Sequence, residues 1–275
     1  MYIDMSNGTR KKIVSLDKGT NNKSLYQSSE KEGDPNLSFS FTHLFAQGIE
    51  VPKGTHNRKT ETGVNAISLG TSLATGKRSF AMGSSNIAGG TGSTPANVAM
   101  GKDNYAFGDA SFALGYANYT EGNYSMAIGQ QTQAIGIASH TEGINTKANA
   151  NYSHAEGGTT VADGIAAHAE GNSTNASGDH SHAEGEATQA IHKNSHAGGF
   201  FTQTSARDQM VIGRYNADDS NALFIVGNGV DKLNTGRRNA FVVGSDGTLT
   251  IGNGAAKTVT FTFEDLEALK ALIAK

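Results

Sequence analysis

The chain has 275 residues, of which 35 are glycine, none is cysteine or tryptophan and only 17% are charged, with a formal net charge of −3. The missing cysteines exclude a disulfide framework and any cysteine-based zinc site, and a pI near 6.3 argues against nucleic-acid binding as the main role. Leu, Ile, Val and Phe number 51 in all, too few for the core of an ordinary enzyme of this length, while the net charge is too small for a self-repelling coil.

In chain order, residues 1–63 carry no repeat. Phe39, Phe41 and Val51 suggest short strands, residues 17–36 are polar with turn formers, and 53–63 read as a polar, partly basic linker. The start, Met1-Tyr2-Ile3-Asp4-Met5, lacks a basic region followed by an apolar stretch, so a secretory signal is not expected. No apolar run approaches the roughly 18 residues of a membrane-spanning helix, so no membrane insertion is expected.

Residues 64–213 are dominated by a five-residue block of the form small-X-small-X-Gly. It runs from AISLG (66–70), SFAMG (79–83), NVAMG (97–101), SFALG (111–115) and SMAIG (125–129) to SHTEG (139–143), SHAEG (153–157), AHAEG (167–171), SHAEG (181–185), SHAGG (195–199) and QMVIG (209–213). From Gly101 to Gly213 all eight intervals are 14 residues, and the two before them are 13 and 18. Midway lies a weaker half-repeat, as in Ala106/Gly108, Ala134/Gly136, Ala162/Gly164 and Ala176/Gly178. Seven residues suit one short strand and a tight turn, with glycine supplying the turn's backbone freedom. The unit therefore reads as one coil of a parallel β-solenoid, and ten coil intervals at ~4.8 Å make a rod of roughly 48 Å.

Strand alternation sorts the side chains. Block positions one and three, mostly Ser or Ala, face a very thin interior. Positions two and four face the other way and form an apolar stripe: Phe80, Met82, Val98, Met100, Phe112, Leu114, Met126 and Ile128, with Met210 and Ile212 at the far end. A soluble monomer rarely exposes such a stripe, and residues 139–199 hold only four large aliphatics, Ile144, Val161, Ile165 and Ile191. An obligate homo-oligomer of parallel subunits, with the stripe on its axis, is expected.

In the same column His140, His154, His168, His182 and His196 take position two, and Glu142, Glu156, Glu170 and Glu184 take position four. Three readings stand. One is a structural ladder in which each His donates to a Glu of a neighbouring chain. The second is an axial metal ion or anion held by the histidines. The third is an exposed polar stripe. A glycosidase pair is disfavoured, because one identical pair recurs coil after coil where catalysis needs divergent environments. His43, His56, His180 and His192 lie off the column, and no nucleophile elbow, P-loop or HExxH occurs. No catalytic residue and no firm cofactor is assigned, and the protein is expected not to be an enzyme.

Residues 214–256 contain the near-duplicates Asn221-Ala222-Leu223-Phe224 and Asn239-Ala240-Phe241-Val242, with turn signals at Asn228-Gly229 and Asp246-Gly247, and read as a β-hairpin module. Residues 257–275 read as a strand, Thr258 to Phe263, then a short helix capped by Thr262 with Asp265 as capping-box partner. Leu266, Leu269, Leu272 and Ile273 share one helical face. Three such helices packing together, or one folding back on its own chain, are the alternatives.

The SMAIG and SFALG blocks at this period resemble the heads of trimeric autotransporter adhesins, the YadA-like head repeat. The resemblance spans about residues 64–213 and implies an all-β homotrimer of left-handed parallel β-rolls; the number three comes from it alone. The SHAEG variant and residues 221–252 are similar to phage tail-fibre and tail-appendage proteins. That resemblance implies a non-enzymatic virion component made in the host cytoplasm. It would dock on a virion or baseplate protein through residues 1–63 and meet a host-surface receptor, a glycan among the candidates. The alternatives are a head fibre or decoration protein and, less favoured, a depolymerase or autoproteolytic chaperone-type tail protein.

Overall fold

The computed structural model describes residues 2–4, 10–12, 66–90, 96–233, 235–252 and 258–273. The chain divides into two units, Met1–Thr55 and His56–Lys275. In the first, Tyr2–Asp4 and Arg10–Lys12 form an antiparallel pair. The strands expected around Phe39, Phe41 and Val51, and the linker at 53–63, lie outside the described residues.

The second unit is a parallel β-solenoid of about 11 turns with roughly 14 residues per coil. Each coil from Ile67 to Ala190 contributes a long strand to one sheet and a two-residue strand to a second, as in Met126–Gln130 and Gln133–Ala134. Equivalent residues lie in register, Met126 beside Phe112 on one side and His140 on the other. The 18-residue interval keeps that register, pairing Phe80 with Val98, so its extra residues leave the stacking undisturbed. The parallel stacking runs one coil past Gly213: Met210–Arg214 pairs in parallel with Ala222–Asn228, Met210 opposite Phe224. The stretch expected to open a separate hairpin module is thus the last coil. The strands Asn239–Gly244, Leu249–Gly252 and Thr258–Phe261 then continue the sheet antiparallel. Asp246-Gly247 makes the tight turn anticipated, whereas Asn228-Gly229 opens a ten-residue connection between strands.

The interior is as thin as the block pattern requires. Ala81, Ala99, Ala113, Ala127, Ala155, Ala169, Ala183 and Ala197 have no exposed surface, and position-one serines such as Ser111 and Ser125 are also buried. A second interior column, three residues after each block glycine, is polar. It runs Asn86, Asn104, Asn118, Thr132, Thr146, Thr160, Thr174, Thr188, Thr202 and Asn216, all buried. The Asn104 side-chain amide donates to the carbonyls of Met100 and Gly115, both at 2.8 Å, while Asn86 Oδ1 accepts the Asn104 backbone N–H at 2.9 Å. The asparagines are satisfied by the neighbouring coils, whereas the hydroxyls of Thr146, Thr160, Thr174 and Thr188 are buried without a hydrogen-bond partner.

The turns meet one expectation in part. The block glycines do take positive φ, but the left-handed residues that recur every seven positions are not glycine: Ala110, Ala117, Tyr124, Gln131 and Ala138 have φ between 53° and 61°. Each such residue costs of order 1 kcal/mol. The cost is offset by stacking, since the Ala117 N–H donates to the Lys102 carbonyl at 2.9 Å and the Gln131 N–H to that of Tyr116 at 2.8 Å. The half-repeat glycines meet a different need. Gly122 has an ordinary φ, but a Cβ there would collide with the carbonyl oxygen of Gly136 in the next coil. The block glycines need both freedoms: Gly129 has φ +126° and faces the Gly143 carbonyl equally closely.

The helix Phe263–Ile273 carries the expected cap. Thr262 N–H and Oγ1–H both donate to Asp265 Oδ2 at 2.8 Å, and the Asp265 N–H donates to Thr262 Oγ1 at 3.2 Å. None of its residues is buried, so its apolar face does not fold back onto the described part of its own chain.

Candidate functional site: the histidine–glutamate column

Each long strand presents block positions two and four away from the interior, so stacking in register turns them into two adjacent columns. The first reads Phe80, Val98, Phe112, Met126, His140, His154, His168, His182, His196 and Met210. The second reads Met82, Met100, Leu114, Ile128, Glu142, Glu156, Glu170, Glu184 and Gly198. Ile212 prolongs the second column at the far end, beside Val226. The apolar stripe and the polar ladder are therefore one continuous face. Most of these side chains are half-buried in the single chain; Met82, Met210 and Glu142 are exposed.

The imidazoles stack. Ring centroids of His140, His154, His168 and His182 lie 4.6, 4.7 and 4.8 Å apart with planes within 7° of parallel. This follows from a coil rise equal to the strand spacing. The last ring departs: His196 stands at 62° to His182, and its Nε2 lies 3.2 Å from Glu184 Oε1. The carboxylates interleave with the rings. His182 Nε2 is 3.4 Å from Glu170 Oε1, and Glu156 sits between His154 at 3.8 Å and His168 at 4.0 Å. The His–Glu pairs drawn between chains in the sequence reading thus have counterparts inside one chain, three of them running from one coil to the next.

Burial pushes the pKa of His154 and of His182 below the usual imidazole value, and the flanking imidazoles reinforce this; the glutamates oppose it without prevailing. The Nε2 atoms of His140, His154, His168 and His182 are shielded from solvent and have no hydrogen-bond partner. Beside the rings an open groove of about 510 Å³ is lined by Glu142, Glu156, Glu170, Glu184 and the neighbouring glycines. The position-five residue after each Glu is glycine, because a Cβ there would collide with the backbone carbonyl of the next coil.

Of the histidines set aside as off the column, His180 occupies a left-handed turn and His192 a turn beside the short strands; His43 and His56 lie outside the described residues. Sequence reasoning missed the buried Asn/Thr column, although it obeys the same 14-residue period. It also missed an aromatic cluster at the end of the roll, where Phe200, Phe201 and Tyr215 pack with centroids 4.8–5.2 Å apart. Arg237 donates to the carbonyls of Phe201 and Asn216 there, at 3.3 and 3.0 Å. Among the described residues no helix is long and apolar enough to cross a membrane. Comparison with protein-family models gives no match, and comparison with curated proteins gives none either.

Proposed function

We propose that this chain is a structural, non-enzymatic subunit of a virion appendage, a tail-fibre or receptor-binding protein that assembles as a parallel homotrimer. One observation carries the reading: a single in-register outward face runs from Phe80 to Met210, apolar at both ends and His/Glu in the middle. A face so long, on a roll whose interior holds little beyond Ala, Ser, Thr and Asn, calls for a cover as regular as itself, and parallel copies of the same chain supply one. The exposed apolar face of the terminal helix adds to this, because a helix of 11 residues is marginal alone and gains stability by packing.

The rod then acts as a stiff spacer. Residues 1–63 dock on the particle, and the loops and the antiparallel end meet a host-surface receptor, with a glycan among the candidates. The strands themselves are occupied by stacking, which leaves recognition to residues that interrupt the repeat. Light scattering of the purified chain tests the assembly: a trimer is expected, and a folded 28.6 kDa monomer would refute it. Electron microscopy of the particle with an antibody against residues 1–63 tests the placement, and label on a head fibre in place of the tail would reassign the protein as a decoration.

A further inference from the structure

We propose that His168, Glu170 and His182 form a binding site for a divalent metal ion of the zinc type. All three ligands come from one chain, so the site stands whether or not the trimer does. The donor set is two imidazole nitrogens and one carboxylate, which suits zinc and its first-row neighbours better than calcium or magnesium. His168 Nε2, a Glu170 carboxylate oxygen and His182 Nε2 lie within 4.8 Å of one another.

One edge of the coordination polyhedron is already in place. Bonds of about 2.0–2.1 Å in a tetrahedral site put neighbouring ligand atoms roughly 3.3–3.4 Å apart. His182 Nε2 and Glu170 Oε1 are 3.4 Å apart, yet they do not form a hydrogen bond. The contact has the length of a shared metal edge without the alignment of a donor–acceptor pair. Both ring nitrogens are hidden from solvent and unpartnered, a state that native structures avoid unless something satisfies the group.

Charge points the same way. Among the described residues, the ion-pair partners of Glu156, Glu170 and Glu184 are ladder histidines alone; no Lys or Arg reaches them. A divalent ion beside Glu170 compensates a column of carboxylates that the protein leaves without a permanent cation. The His–His edge, at most 4.8 Å, must shorten for both rings to bind, and a turn of either imidazole about its last side-chain bond supplies that. Water fills the fourth position, as in open zinc sites.

The test uses the full chain, stripped with a chelator and dialysed against zinc chloride, with bound metal measured by mass spectrometry. About one tightly held zinc per chain is expected. Glu170→Gln, which keeps the shape and removes the charge, and His182→Ala should each weaken binding at least about tenfold, with far-ultraviolet circular dichroism confirming the fold. Zinc uptake unchanged in both folded variants would overturn the proposal, as would no uptake by the unaltered chain. If a variant fails to fold, cobalt substitution of the unaltered chain decides. An intense visible spectrum of tetrahedral, nitrogen-ligated cobalt supports the site, and the pale spectrum of hydrated cobalt refutes it.

Discussion

The coils from Phe80 to Ile128 and those from His140 to His196 are built on one interior and turn opposite chemistries outward. Beneath Phe112/Leu114 lies Ala113, and beneath His168/Glu170 lies Ala169, both without exposed surface and both in the same parallel register. The backbone cannot tell which half it is in. The difference teaches that the fold is specified by the small residues facing in and by the glycines that let coils approach, while the outward face is free to be apolar or polar. What the protein does must then reside on that face and at the interruptions of the repeat.

The largest effect should come from overfilling the shared interior. Ala113→Leu and Ala169→Leu should each cost about 3 kcal/mol, since a thin roll cannot repack around three added carbons. Guanidinium melts should show equal losses in the two halves; a marked asymmetry would mean that the interiors are not equivalent. Next is the outward pair. In the proposed trimer, His154→Val alone removes the nearer of the two histidines beside Glu156 and leaves only His168 at 4.0 Å, at a cost of roughly 1–3 kcal/mol. Adding Glu156→Ile recreates the apolar block of the first half and should restore stability. A double variant as unstable as the sum of the two single changes would separate the halves more deeply than their shared backbone suggests.

Acid should distinguish the halves more gently. His154 and His182 titrate below 6.5 in the folded chain, so the unfolded chain takes up protons first as pH falls. Their contribution is complete above about pH 6.5 and is lost as the pH drops from there through the folded-state values. Melting of chelator-treated protein should therefore weaken over that window, and less so in His154→Met/His182→Met, which extends the apolar half; equal acid sensitivity would remove the histidines as the cause. The smallest effect is expected where the repeat is interrupted. Deleting four residues between Gly90 and Ala96 returns the interval to 14, and stability should change by less than about 0.5 kcal/mol. A larger loss in melting would show that the insertion supports its coil.

Much of this was legible before any coordinates, for a physical reason. A solenoid repeats one local environment, so each constraint is written many times and its period stands out. The buried alanines and serines, the outward column and the Thr262–Asp265 cap all follow from alternation and spacing. Other features left no such mark. The left-handed turn residues range over ten types, from Ala and Ser to Arg, His, Tyr and Phe, because a stacked backbone hydrogen bond holds most of them there. The strand Ala222–Asn228 lacks the small-residue block, so its sequence shows the antiparallel pairing with Asn239–Gly244 but not its parallel stacking on Met210–Arg214; its larger Ile225 fits because the roll closes against Val211 and Val242 there.

The sequence by itself determined the 14-residue coil, which side of each strand faces in, and the meeting of apolar and His/Glu residues in one column, since these depend only on period and on side-chain size. Only the tertiary structure decided what the column's groups do to one another. Ring stacking at 4.6–4.8 Å, the turned ring of His196 and the approach of Glu170 to His182 depend on rotamers and on distances between coils. A repeat makes those distances equal along the chain but does not say where a side chain will break the symmetry. That break is where the column ends, at Gly198, because glycine in place of a fifth glutamate removes the neighbour that would otherwise flank the last ring.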